Sequence, residues 1–243
     1  MKRVLIIGAT SAIAVAVARR LCTRAATFHL VGRNEESLLD IAADLNVRGA
    51  QAVTIGLLDV ANLDAHEEML EVAAKNLGGL DIVLIAHGTL PTQATCDSDT
   101  EYALQEFHIN GTATIALSNR LASILKPGST LAVISSVAGD RGRASNYLYG
   151  SSKAAVSTYL SGLSQRLYSV GINVLTIKPG FVDTPMTASF KKSAMWATPD
   201  QIAAGIISAI DKRRSMAYLP SFWYFIMKII ANIPEFAFRR IRL

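Results

Sequence analysis

Short apolar runs alternate with amphipathic helical patterns from residue 3 to residue 219, and this alternation limits the folds open to the chain more than any other feature. The apolar runs are rich in Val, Ile and Leu without polar alternation, which is typical of strands buried on both faces. They lie at 3–8, 27–32, 52–58, 81–86, 129–135, 172–178 and 216–219, and the helical patterns lie at 11–24, 35–48, 62–77, 100–125, 147–169 and 200–213. This order predicts a single doubly wound α/β domain, with a parallel sheet of about seven strands and helices on both faces.

Size and composition fit that fold and narrow the classes of function. The chain has 243 residues, of which 51% are hydrophobic, and its 24 basic and 19 acidic residues give a dispersed net charge of +5. Nucleic-acid binding favours clustered Lys and Arg, so we expect no nucleic-acid partner. Cys22 and Cys96 alone indicate neither a disulfide framework nor a metal site. Met1 leads within two residues into the first strand, so we expect no signal peptide and a cytoplasmic location.

The last residues differ from the rest. We expect a catalytic domain over residues 1–219 and an apolar, basic-ended tail over 220–243. The apolar part of the tail has roughly a dozen residues, fewer than the ~20 that span a bilayer. It is interrupted by Lys228, and the basic end consists of Arg239, Arg240 and Arg242. We expect the tail to pack on the domain, on a partner subunit or in a membrane interface, the last of which implies a peripheral location at the inner face of the membrane.

The turn after the first strand is a candidate phosphate-binding site. A strand, a tight turn and a helix aim free backbone N–H groups and a helix dipole at a pyrophosphate. Only Gly8 remains of a three-glycine pattern, and the methyl group of Ala12 crowds the phosphate approach, so a purely structural turn is an alternative. The candidate cofactor-binding residues here are Gly8, Thr10, Ser11, Ala12 and Ile13.

The residue after the second strand indicates which dinucleotide binds. Dinucleotide folds that use NAD place an Asp or Glu here for the adenosine ribose, whereas this chain has Arg33. A guanidinium makes paired, charge-assisted bonds to a phosphate and suits the 2′-phosphate of NADP. We therefore expect NADP(H) in preference to NAD(H). The alternative is a solvated arginine at the start of a helix.

A serine, a tyrosine and a lysine form the candidate catalytic set. Ser136 ends the fifth strand, and Tyr149 and Lys153 are four residues apart, on one face of the following helix. An ammonium group one turn away favours ionisation of the phenol, which lets it exchange protons near neutral pH. Ser136 can hold the substrate oxygen during that exchange. We expect His87 and His108 to be polar or packing neighbours only.

Tyr-x-x-x-Lys with a serine thirteen residues upstream resembles the short-chain dehydrogenase/reductase family, and the resemblance covers nearly the whole chain. It implies a Rossmann fold, a homodimer or homotetramer, and hydride transfer between NADP(H) and a carbonyl/alcohol pair. It also implies that Asn110 is a fourth catalytic residue supporting a proton-relay water. The further cofactor contacts that it implies are Asp59, Val60, Ala86, Gly88, Pro179, Gly180, Val182 and Thr184, together with the catalytic candidates Tyr149 and Lys153.

The loop at 138–143 and the tail are similar to bacterial reductases of the decaprenylphosphoryl-2-keto-ribose type. That similarity implies a lipid-linked keto-sugar as substrate, with Arg141 or Arg143 meeting its phosphate. We expect Asp140 and both arginines at the mouth of the cleft, where solvated loop charges are the alternative. The loop at 184–198 is apolar and predicts an apolar pocket.

A different class of function is a catalytically silent NADP-binding protein with a regulatory or scaffold role. Ala12 favours this alternative, because it obstructs the phosphate turn. The complete set of Ser136, Tyr149, Lys153 and Asn110 favours an enzyme, since a binding protein has no need of all four.

Overall fold

The computed structural model describes residues 2–241; Met1, Arg242 and Leu243 lie outside the described residues, and with them the last arginine of the predicted basic end. Seven strands, all parallel, form one sheet in the order β3-β2-β1-β4-β5-β6-β7. They are β1 Lys2–Ile7, β2 Ala26–Gly32, β3 Ala52–Leu57, β4 Ile82–Ile85, β5 Thr130–Ile134, β6 Asn173–Pro179 and β7 Met216–Leu219. The predicted fold class is confirmed.

The helices cover both faces of the sheet. They are α1 Ala12–Cys22, α2 Glu35–Val47, α3 His66–Leu77, α4 Gln93–Ser98, α5 Thr100–Phe107, α6 Ala113–Ile124, α7 Tyr147–Tyr168, α8 Pro199–Asp211, α9 Trp223–Asn232 and α10 Glu235–Phe238. Val4 and Ile6 of β1 pack against α1, α2 and α8, whereas Leu5 and Ile7 pack against α3, α6 and α7. Successive strand residues point to opposite faces, so both faces need apolar side chains and no polar alternation is seen in the sequence.

Strand order reverses at β1, which has β2 on one side and β4 on the other. The chain leaves these strands in opposite directions, so a crevice opens at their carboxyl ends, where ligands bind in doubly wound sheets. Gly8 lies at this point with a φ of +81°, and a Cβ atom there would lie 2.4 Å from the backbone nitrogen of His87. Both the backbone conformation and the space therefore require glycine at the start of the crevice.

Two helical regions differ from the sequence prediction. The predicted helix at 100–125 is divided by a π-helical turn, His108–Thr112, which separates α5 from α6. α4 was not predicted, because its polar sequence lacks an amphipathic pattern. The helical pattern predicted at 200–213 corresponds to α8, at whose start Thr198 and Gln201 form a capping box around Pro199.

The tail forms α9 and α10, and it packs on the chain's own domain. Trp223 is 3% exposed and, with Met227, contacts Val137 in the turn that follows β5. The indole of Trp223 also covers Gly180, where a Cβ atom would lie 2.0 Å from the indole Nε1. The tail thus lies on the first of the three surfaces expected for it, the chain's own domain. Its contact with a partner subunit or a membrane stays a prediction. Across residues 2–241 no helix combines the length and the apolar character that crossing a bilayer requires.

The buried indole predicts that Trp223→Ala undocks the tail. The substitution removes a fully packed aromatic ring, which costs about 3–5 kcal/mol in protein cores. We expect a lower melting temperature and faster amide hydrogen exchange in α9. Phe225→Ala is the control, because Phe225 lies on the same helix and is 67% exposed. Equal melting temperatures for the two variants would contradict the docked arrangement.

Candidate active site

A cavity of about 880 Å³ occupies the crevice at the carboxyl ends of the strands. The predicted cofactor and catalytic residues line it together, with one exception. The lining includes Gly8, Thr10, Ser11, Ala12, Ile13, Arg33, Asp59, Val60, Ala86, Gly88, Ser136, Tyr149, Lys153, Pro179, Gly180, Val182 and Thr184. Asn110 is the exception and lies directly behind Gly88.

One end of the cavity is formed by the N-terminus of α1. Ser11 is the N-cap residue, but its side chain makes no capping hydrogen bond, so the first N–H groups of the helix remain available to a ligand. Ala12 is the first helical residue and is partly exposed to the cavity. Ala14 is completely buried against the sheet, where its small side chain permits a close helix contact.

Arg33 follows β2 at the same end of the cavity. Its side chain is exposed, and Asn34 next to it caps α2 by accepting a hydrogen bond from the backbone N–H of Ser37 at 2.8 Å. The capping role falls to Asn34, which leaves the Arg33 guanidinium at the rim of the cavity. The side chain of Asp59 accepts a hydrogen bond from the N–H of Ala61 at 3.0 Å and so shapes the turn after β3.

Close packing of α7 against the end of β5 positions the catalytic candidates. The hydroxyl of Ser135 donates to the carbonyl oxygen of Lys153 at 3.0 Å and lies 2.7 Å from the hydroxyl of Ser157. The 3₁₀ turn Val137–Asp140, which follows β5, lies directly against α7, and two glycines permit this close approach. A Cβ atom at Gly139 would lie 2.7 Å from the carbonyl carbon of Lys153, and one at Gly150 would lie 2.8 Å from the carbonyl oxygen of Ala138.

The Ser136, Tyr149 and Lys153 side chains meet at the other end of the cavity. The Lys153 ammonium lies 5.6 Å from the centroid of the Tyr149 ring and donates to the carbonyl oxygen of Ile134 at 3.3 Å. The Ser136 hydroxyl accepts a hydrogen bond from the N–H of Ala138 at 3.0 Å, which fixes its orientation. The three polar groups predicted from the sequence are therefore brought together.

Burial shifts both ionisable groups of this set. Loss of solvent raises the pKa of Tyr149 to about 12, and contact with the Ser136 side chain opposes that rise. Burial also lowers the pKa of Lys153 to about 8. At neutral pH the phenol is consequently protonated and able to donate. The ionisation of the phenol that the nearby ammonium group was expected to favour is not found, because burial outweighs it.

Asn110 is 1% exposed and holds the segment that follows β4. Its Oδ1 accepts from the N–H of Thr89 at 3.1 Å, and its Nδ2 donates to the Thr89 hydroxyl at 2.7 Å. A Cβ atom at Gly88 would lie 2.9 Å from Asn110 Oδ1 and 3.5 Å from Lys153 Nζ, so Gly88 separates the two side chains. The sequence indicated Asn110 but not its partners Thr89 and Glu106, whose side chains hydrogen-bond to each other.

The two histidines near the cavity are polar neighbours, as expected. His87 Nε2 lies 3.0 Å from the hydroxyl of Thr114, and burial lowers the pKa of His87 to about 3, so the ring is neutral. His108 Nε2 lies 2.9 Å from the carbonyl oxygen of Ala61. The described residues contain no group of three or more His, Cys, Asp or Glu able to hold a metal ion.

The sequence predicted Asp140, Arg141 and Arg143 at the mouth of the cleft, and this prediction is wrong for the first two. The side chain of Asp140 is 9% exposed, lies 2.5 Å from the Lys178 ammonium and accepts a hydrogen bond from the Tyr218 hydroxyl at 2.9 Å. Arg141 points to the tail and donates to the carbonyl oxygens of Ala231 and Ile233. Both have strong partners away from the cavity, which the sequence did not reveal because those partners are distant in the chain. Arg143 lines the cavity, as expected.

Aromatic side chains form an apolar wall beside the catalytic set. Phe181 and Trp196 stack with 5.4 Å between their ring centroids, and Phe190 lies 6.5 Å from Trp196. These rings and Met186 line the cavity where the sequence predicted an apolar pocket at 184–198.

Comparison with known proteins relates this geometry to a family. The short chain dehydrogenase family model matches residues 2–194. An uncharacterized oxidoreductase of Mycobacterium tuberculosis is 33% identical over 239 residues, covering 98% of this chain and 96% of the relative. Another, of Streptomyces coelicolor, is 31% identical over 243 residues, covering 99% of this chain and 96% of the relative.

The fold has close counterparts among solved structures. A short chain dehydrogenase from Burkholderia cenocepacia in complex with NADP superimposes with a TM-score of 0.79, covers 88% of this chain and 94% of its own, and is 24% identical. That structure supports the fold, and the family model and the relatives extend over most of the sequence. The chain belongs to the short-chain dehydrogenase family of oxidoreductases.

Proposed function

We propose that this protein is an NADPH-dependent reductase that converts a carbonyl group to an alcohol. The observation that carries the proposal is the meeting of Ser136, Tyr149 and Lys153 at one end of a cavity whose other end is the N-terminus of α1 and Arg33. The first set suits proton transfer to an oxygen atom, and the second suits a phosphorylated dinucleotide.

The cavity suits the cofactor at the two positions where its phosphate groups would bind. Gly8 leaves no side chain between the turn and the end of β4, and the start of α1 has no side-chain cap competing for its N–H groups. Arg33 is available to the 2′-phosphate. The neighbour from Burkholderia cenocepacia, which holds NADP, supports this assignment. When bound, the cofactor supplies the hydride.

The residues at the other end supply the proton and orient the carbonyl. Ser136 donates a hydrogen bond to the substrate oxygen, and the Tyr149 phenol gives that oxygen its proton. The Lys153 ammonium stabilises the phenolate that forms and would also hold the ribose of a bound cofactor. Asn110 holds the Gly88–Thr89 segment and supports the water that returns a proton to the Tyr149 phenolate. With its pKa raised to about 12, the Tyr149 phenol carries its proton at neutral pH, which is the form that reduction needs.

The narrower expectation of a lipid-linked keto-sugar belongs to this proposal as one substrate class. The apolar wall of Phe181, Phe190 and Trp196 supports a substrate with an apolar part. The division into a catalytic domain at 1–219 and a tail at 220–243, and assembly as a homodimer or homotetramer, are likewise part of the proposal.

Arg33→Ala tests the choice of cofactor. We expect the dissociation constant for NADPH to rise by about 10- to 100-fold, because charge-assisted bonds to the 2′-phosphate are lost, while that for NADH is unchanged. Titration followed by nicotinamide fluorescence measures both. Arg48→Ala is the control, since Arg48 is an exposed arginine paired with Asp44. Equal NADPH affinity in wild type and Arg33→Ala would refute the 2′-phosphate contact, and binding of neither cofactor by the wild type would refute the proposed function.

Tyr149→Phe tests the proton donor. Loss of general acid catalysis lowers kcat by roughly 100- to 10,000-fold, while NADPH still binds. NADPH oxidation in the presence of 4-nitrobenzaldehyde provides the assay. Tyr147→Phe is the matched control, because Tyr147 lies two residues away and is hydrogen-bonded to Asp97 at the surface. Substantial residual turnover in Tyr149→Phe would exclude this tyrosine as the donor.

The pKa of Lys153 predicts a pH dependence. The ammonium form is needed, and it predominates below a pKa of about 8. We expect kcat/KM for NADPH to be constant below that pH and to fall about tenfold per unit above it. The residual activity of Lys153→Met should lack this inflection. A wild-type profile that stays level from about pH 7 to 10 would contradict the role of the ammonium group.

A further inference from the structure

Arg143 lies in the loop between β5 and α7 and lines the same active-site cavity as Tyr149. Its Nε atom is buried and has no hydrogen-bond partner among residues 2–241. None of the ion pairs in the described part of the chain includes Arg143. Arg143 is therefore half-buried in the cavity lining, with no carboxylate of residues 2–241 within ion-pair distance.

The neighbouring charges do not neutralise it. Asp140 is three residues away and its field acts on Arg143, but its two carboxylate oxygens already bind Lys178 and Tyr218. Arg141 is bound to the tail by the carbonyl oxygens of α9 and by Glu235, which lies 2.8 Å from its guanidinium. Of the three charged residues in this loop, Arg143 alone lines the cavity, and its buried Nε atom has no hydrogen-bond partner among residues 2–241.

Burial without a partner is unfavourable for a guanidinium. Burial lowers the pKa of Arg143, since removal from water penalises its charged form. Buried cations in proteins are normally paired with an anion. Asn146 lies three residues further along the same cavity wall, and its Oδ1 is also buried without a hydrogen-bond donor in the described residues. Two unsatisfied polar groups on one wall indicate a polar ligand there.

We propose that Arg143 binds an anionic group of the carbonyl substrate, a carboxylate or a phosphate, while the apolar wall of Phe181 and Trp196 contacts the rest of it. This inference rests on the proposed function and adds a substrate class to it. The substrate is an amphipathic anion whose carbonyl faces Tyr149. A guanidinium suits either anion, because its planar fork donates two parallel hydrogen bonds to both.

The test compares three ketones that share one ring and one reacting carbonyl. They are 4-acetylbenzoate, 4-acetylphenyl phosphate and the neutral methyl ester of 4-acetylbenzoate. Binding to the protein saturated with NADP⁺ is measured by calorimetry, and kcat/KM is measured with NADPH. We expect the wild type to bind at least one anion about 10- to 100-fold more tightly than the ester, and the ratio of the two anions decides between carboxylate and phosphate.

Arg143→Met should abolish the preference for the anion, so that the two acids and the ester bind with equal affinity. Arg143→Lys should retain part of the preference, since it keeps the charge but loses the paired geometry. Arg166→Met is the control, because Arg166 is an exposed arginine on α7 outside the cavity lining. Its preference should equal that of the wild type.

The outcomes separate this inference from the proposed function. A wild type that binds NADPH and reduces all three ketones equally would overturn the anion site and leave the reductase assignment intact. A loss of NADPH affinity in Arg143→Met, with the discrimination among ketones unchanged, would assign Arg143 to the cofactor and also overturn the site. If the wild type does not bind NADPH, the reductase proposal fails, and the calorimetric comparison is then made on the protein without cofactor, where equal binding of the acid and the ester would overturn the anion site.

Discussion

The close contact between the end of β5 and the first turns of α7 determines most of what this protein can do. Ser135 bonds the strand end to the helix at Lys153 and Ser157, and the absence of side chains at Gly139 and Gly150 lets the connecting turn lie directly on the helix. These hydrogen bonds are buried, and a buried network that is fully hydrogen-bonded is rigid. The position of α7 relative to β5 is therefore fixed. Preorganised groups need no rearrangement when charge develops on a substrate oxygen.

The same turn also connects the active site to the last part of the chain. Its Val137 packs against Trp223 and Met227, its Asp140 binds Lys178 of β6 and Tyr218 of β7, and the next residue, Arg141, binds the end of α9. The turn that carries Ser136 is therefore supported from the sheet, from α7 and from the tail. Its buried ion pair is stabilised by a third polar group, an arrangement that offsets part of the cost of removing both charges from water.

The sequence was sufficient for the features that depend on local pattern. Uninterrupted apolar strands predicted the sheet, and the spacing of Tyr149 and Lys153 on one helix predicted that they share a face. Features that depend on contacts between residues distant in the chain could not be predicted from the sequence. Asp140 and Arg141 were expected near the substrate because nothing in the adjacent sequence shows Lys178 or the carbonyl oxygens of α9. The π-helical turn that carries Asn110 was also not evident, since it follows from packing between α5, α6 and α7 rather than from a break in the amphipathic pattern.

Contact between Trp223 and Gly180 has a consequence for how this chain can vary. The indole occupies the space into which a side chain at position 180 would project, so a side chain there would clash with Trp223. Related chains that keep an aromatic residue at 223 are restricted to glycine at 180, and a shorter residue at 223 releases that restriction. A substitution in the tail thereby alters which residues are tolerated at position 180, in a segment that lines the cavity. Exchanges in the tail can consequently change the shape of the cavity, although Trp223 itself does not line it.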